Sequence, residues 1–232
     1  GLTAAKYGLL PLTLNQQTYV VNNIQRWMAD DWTPIPAFYV DTSLVTADDV
    51  FGSDRVVDAC KIWMDMIAEA GVRVALIDAP DRINKHRLLK SEGGPDDIGV
   101  LTLSQIEPLV KHAERRGIKA FWSGGIKPDQ AFALGKLGVA GIFTTGSTAH
   151  AVAVHGTMRV DEQLAKQAEP TDVGVRRIHA LLQAGYLCHV LAADQGMLQQ
   201  IQRGAGELLQ AGMGDEAKPV IAALNETLIK AW

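Results

Sequence analysis

Residues 118–147 read IKAFWSGGIKPDQAFALGKLGVAGIFTTGS, and they decide the fold class. Residues 118–122 are a short apolar run of strand length that ends in Ser123-Gly124-Gly125. Pro128 then opens a helix-length segment, where a missing N–H costs little, and Gly138 closes it. A second apolar run, 139–143, ends in Thr144-Thr145-Gly146-Ser147. Two apolar strands joined by a helix are the pattern of a parallel sheet covered by helices.

The same unit recurs upstream. Residues 4–10 are an apolar run followed by a helical pattern over 15–27. Residues 36–40 end in Asp41-Thr42-Ser43 and precede a helix over 56–70. Its Val56, Cys60, Trp63, Met64 and Ile67 share one stripe, and Gly71 supplies its stop. Residues 73–77 end in Asp78-Ala79-Pro80 and run into a polar loop. The next helix is expected near Ser104, which has capping-box spacing to Glu107. Pro108 falls in its expected first turn, with Leu103, Ile106, Val110 and Ala113 as the buried face and Gly117 as the stop.

Units of roughly 35–40 residues suit the βα repeat of a TIM barrel, and no GxGxxG follows an early strand. The expectation is therefore an α/β, TIM-barrel-type parallel sheet over 1–155, about five βα units. Eight units close such a barrel. The first strands are thus expected to be absent from this chain, or its sheet edges to be covered by another chain. From 161 onward the apolar residues recur at helical spacing. Val173, Ile178, Leu181 and Leu182 mark one helix, with two more over 197–209 and 219–229. Residues 156–232 read as an all-helical C-terminal extension without a strand, structural or at an oligomer interface.

Composition narrows the function classes. The chain has 232 residues, 47% hydrophobic and 21% charged, with net charge -4. That fits a globular chain rather than a disordered one. No run approaches the roughly 18–20 apolar residues of a membrane span, and no secretory pattern opens the sequence. No basic patch marks a nucleic-acid partner. Cys60 and Cys188 make neither a disulfide framework nor a zinc set, so a reducing cytoplasm is the expected compartment. The six histidines have no metal-ligand spacing, and neither metal nor cofactor is expected. The tryptophans at 27, 32, 63 and 122 read as packing anchors.

Ligands of parallel α/β folds bind at the carboxyl ends of the strands. Ser123, Gly124 and Gly125, with Thr145 and Gly146, are Gly-rich ends of two successive strands and suit a phosphate. The plain alternative is that these glycines only make tight turns. Lys6 stands in an otherwise apolar strand, where a desolvated amine can attack a carbonyl. Asp78 or Asp41 can pair with it or serve as general acid and base, and a structural ion pair fits as well. Arg82 and Lys85 lie on a basic loop that either closes on an anionic substrate or is simply solvated.

These stretches together resemble the (5-formylfuran-3-yl)methyl phosphate synthases of methanofuran biosynthesis. The resemblance runs from about Ala4 to Gly146. AAKYGLL is similar to the family's strand with a catalytic lysine. FYVDTSLVTADD is similar to its next strand, also with an aspartate at its end. EAGVRVALIDAPDRINK is similar to the strand ending in Ile-Asp before a basic loop. LTLSQIEPLVKHAERRGIKAFWSGGI is similar to the following helix and small-residue strand end. The resemblance implies a TIM barrel that joins two triose phosphates, with Lys6 as the imine-forming lysine and Asp78 as the catalytic aspartate. Arg82 stands where the family has a lysine, and Ile142-Phe143-Thr144-Thr145-Gly146 where it tends to have Gly-Val-Arg-Gly-Ala. The helical extension and the family's first three strands, with a further lysine, have no counterpart. The expected function is a carbon–carbon bond-forming lyase on small sugar phosphates through a lysine imine, in a homo-oligomer. The alternatives are a phosphosugar isomerase without an imine, and a non-catalytic barrel homologue acting as a binding or structural subunit.

Overall fold

The computed structural model describes residues 4–28, 31–79, 87–90, 99–143, 149–151, 168–191, 194–212 and 214–232. Its contacts form two units, 1–124 with 139–143, and 125–138 with 144–232.

The first unit is a mixed α/β unit on a five-stranded parallel sheet. The strands are β1 (Ala4–Gly8), β2 (Thr33–Tyr39), β5 (Val74–Asp78), β8 (Lys119–Ser123) and β9 (Gly141–Phe143). Their order in the sheet is β1-β2-β5-β8-β9, the order of the chain. Each new strand is laid beside the previous one, with none of the reversal that defines a doubly wound sheet. Two-stranded ribbons extend the strand ends: β3 (Leu44–Val45) with β4 (Val50–Phe51), and β6 (Arg87–Leu89) with β7 (Gly99–Leu101).

Helices α1 (Leu14–Trp27), α2 (Val56–Glu69) and α3 (Leu103–Arg115) follow in turn, and α2 packs on both its neighbours. They cover one sheet face, where Ala75, Ile77, Ala120 and Trp122 are buried and the Phe38 ring lies 5.4 Å from that of Trp63. Gln17, buried on α1, accepts from the Trp63 indole N–H at 3.0 Å and donates to the Leu12 carbonyl at 2.8 Å. One amide thus satisfies two groups that would otherwise be stranded in an apolar layer.

The α3 start differs from expectation. The cap is Thr102, whose hydroxyl accepts from the Gln105 N–H while the Gln105 side chain accepts from the Thr102 N–H. Thr102/Gln105 and Ser104/Glu107 have the same spacing, and the earlier pair wins because β7 ends at Leu101. Pro108 consequently lies inside the helix, Leu103 is exposed, and Leu109 joins the buried face.

The second unit holds α4 (Pro128–Lys136), a β10 (Ala149–Ala151) and β11 (Ala168–Pro170) antiparallel pair, and α5 (Asp172–Val190), α6 (Gln195–Gln210) and α7 (Ala217–Ala231). The last three match the helical spacing of the sequence. The short β pair corrects the all-helical expectation; three residues carry no readable period, and their pairing is set by a partner distant in sequence. The core of this unit joins Leu181, Ala184 and Leu187 of α5 to Ile201, Ala205 and Leu208 of α6 and Ile221, Leu224 and Leu228 of α7. The buried Arg177 donates to the Leu208 and Leu209 carbonyls at the end of α6, which gives a desolvated cation the negative end of a helix. No helix among the described residues is long and apolar enough to cross a membrane.

Candidate functional site

Register fixes which residues share a face, because direct partners across a parallel sheet project to the same side. Tyr39 pairs with Asp78, and Ser123 pairs with Phe143. Ile77 pairs with Trp122, so Asp78 and Ser123 stand side by side one residue further on. Tyr39, Asp78, Ser123 and Phe143 therefore form a row at the carboxyl ends of four strands, on the face away from α1–α3.

Lys6 joins this row from β1. Its ammonium donates to Asp78 Oδ2 at 2.8 Å. The Lys6 side chain reaches both solvent and a partner, the two ways a lysine in an apolar strand avoids the cost of burial: 46% of it is exposed, against 9% for Asp78. The amine is open to solvent and reagents, while the carboxylate is enclosed. The Lys6 nitrogen also lies 5.8 Å from the centre of the Tyr39 ring.

Asp41 lies two residues beyond the end of β2 and is half-buried. Of the two carboxylates expected near Lys6, Asp78 is the one that takes its hydrogen bond. A shallow open recess with room for little more than a water sits at the ends of β1 and β2, lined by Leu9, Leu10, Tyr39, Thr42 and Ser43 among others.

Gly124 and Gly125 have φ of 119° and 65°, a conformation that suits glycine. A Cβ on Gly124 would stand 3.0 Å from the Ala79 nitrogen and 3.1 Å from that of Leu88. The Leu88 N–H donates to the Gly124 carbonyl at 2.8 Å. The close approach that Gly124 permits is thus made by the chain's own β6. Thr145, Gly146, Arg82 and Lys85 lie outside the described residues. Among the described residues no three His, Cys, Asp or Glu side chains gather to hold a metal.

Sequence reasoning missed Tyr39. A tyrosine at the end of an apolar strand reads as packing, and only the register places it beside Asp78. The available signal was the two-residue period that puts Tyr39 on the same face as Ala37 and Ile35, the partner of Lys6.

No protein family and no curated protein matches the chain. Among solved structures there is remote likeness, as two examples show. The BexX/CysO complex of Amycolatopsis orientalis is 13% identical at a TM-score of 0.39, over 76% of this chain and 51% of that one. The chain therefore spans about half the length of that protein. A xylose isomerase-like TIM barrel protein from Mycobacterium smegmatis, in complex with magnesium, is 11% identical at a TM-score of 0.34, over 94% and 91% of the two chains.

Proposed function

We propose that the chain is a lyase of the carbon–carbon bond-forming type, acting on small sugar phosphates through an imine on Lys6. The observation that carries this reading is the 2.8 Å contact between an exposed lysine amine and an enclosed carboxylate at the carboxyl ends of the strands. It is the pair that the resemblance to the (5-formylfuran-3-yl)methyl phosphate synthases singles out. The sheet reads as an arc of a TIM-type barrel, since strand order follows chain order and its helices form one layer. The row Tyr39, Asp78, Ser123 and Phe143 would then face the barrel interior.

The chemistry follows from the pair. Asp78 takes a proton from the Lys6 ammonium and frees its lone pair. The amine adds to the carbonyl carbon of a triose phosphate. That proton passes to the carbinolamine oxygen, which leaves as water, and the protonated imine remains. Asp78 then removes a proton from the adjacent carbon, giving an enamine. The enamine carbon attacks the aldehyde carbon of a second triose phosphate, whose oxygen takes the proton. Water adds back to the imine and releases the joined product with Lys6 restored. Ser123, which stands beside Asp78 in the row, would hydrogen-bond a phosphate oxygen of the substrate.

Borohydride reduction in the presence of glyceraldehyde 3-phosphate and dihydroxyacetone phosphate tests the proposal. A stable adduct on Lys6 is expected, with its loss in Lys6→Ala and a slower appearance in Asp78→Asn. An unmodified Lys6, together with full turnover by Lys6→Ala, overturns it.

A further inference from the structure

We propose that Tyr39 is a positioning residue for Lys6, seated for that task by a hollow at Gly8. The proposal deepens the reading of Lys6 as the imine-forming amine and rests on it for its catalytic meaning. Among the described residues the Lys6 nitrogen meets Asp78 Oδ2 at 2.8 Å and the Tyr39 ring at 5.8 Å from its centre. The second distance is within the range at which a ring attracts a cation. Tyr39 pairs with Asp78 in register, so the two groups come from adjacent strands at one level. A lysine side chain has four rotatable bonds, and the ring beside it limits where the exposed nitrogen goes.

The ring itself is held from both ends. The Tyr39 carbonyl accepts from the Thr42 N–H at 3.3 Å and from the Thr42 hydroxyl at 2.9 Å, which fixes the strand end. A Cβ on Gly8 would lie 2.5 Å from the Tyr39 hydroxyl and 3.2 Å from two ring carbons. Gly8 has no positive φ, so what the position demands of glycine is space. Lys6 and Gly8 are two residues apart on β1 and share a face. One strand thus supplies both the amine and the seat of the ring that steers it.

Reductive methylation of the full chain with ¹³C-formaldehyde puts an NMR label on lysine nitrogens, and Lys6→Arg assigns the Lys6 signal. The expected signal is shifted upfield by the Tyr39 ring. The shift should persist in Tyr39→Phe and vanish in Tyr39→Leu and in Gly8→Ala. Trapping of glyceraldehyde 3-phosphate on Lys6 should slow roughly 2- to 5-fold in Tyr39→Leu and recover in Tyr39→Phe, the size of an exposed cation–ring contact. An equal Lys6 signal in all variants, or equal behaviour of the Phe and Leu variants, overturns the proposal. A parent chain that shows the ring shift but traps no aldehyde supports the placement of Lys6 by Tyr39 and sinks the imine reading alone.

Discussion

The hydroxyl of Tyr7 illustrates how one polar atom tunes a strand. It is enclosed, and no partner for it exists among the described residues. Burial pushes the phenol from its ordinary 10.0 up to about 12. Between those values the unfolded chain has released a proton that the folded chain still holds. Stability from this group is therefore full below pH 10 and lost as pH rises towards 12. In Tyr7→Phe that alkaline loss should shrink, and stability at neutral pH should hold or rise by up to about 1 kcal/mol, since an unpartnered buried hydroxyl is removed. Urea midpoints at pH 8 and pH 11 check both. The neighbouring residues show what a sequence reveals at this scale. Lys6 and Asp78 were legible because a charge in an apolar strand needs a reason. Gly8 and Tyr39 were not, because a glycine and a tyrosine in such a strand are ordinary until the register brings them face to face.

Helices α4 and α5 approach each other at glycines. A Cβ on Gly135 of α4 would lie only 2.2 Å from the Leu182 carbonyl, and one on Gly185 of α5 only 2.1 Å from that of Phe132. Gly185→Ala gains helix propensity of about 1 kcal/mol. The clash should outweigh it, with a net loss of about 2 kcal/mol from forced separation of the helices. A Cβ on Gly206 of α6 would meet nothing within 4 Å beyond its own helix, and Gly206→Ala should stabilise by up to about 1 kcal/mol. Thermal melts of the two variants should therefore move in opposite directions. The lengths of α5, α6 and α7 were readable from apolar spacing. The partner of α4 was not, because Gly135 and Gly185 have no side chain to enter a hydrophobic pattern.

For the molecule as a whole, α4 decides where the chain can be divided. It lies in sequence between β8 and β9 of the sheet unit, yet it belongs with α5. A chain ended at 155 would keep the sheet but leave Ala131, Leu134 and Gly135 of α4 without their α5 cover. Such a fragment should bind a hydrophobic dye and aggregate, and light scattering would show it. A soluble, dye-silent fragment would contradict that expectation.

The strand order has a further consequence, which belongs to the ribosome. Every strand of the sheet pairs with the strand synthesised just before it, so the sheet can grow from one edge as the chain emerges. Each pairing still has to close a whole crossover, as Val74 with Lys119 does, so the sheet should form more slowly than a helical bundle of equal size. Helix α4 is the exception to this schedule. It is made before β9 and must wait for α5, so an apolar helix face is bare in the nascent chain for the whole interval. A chaperone that samples chains during translation would meet its best target there.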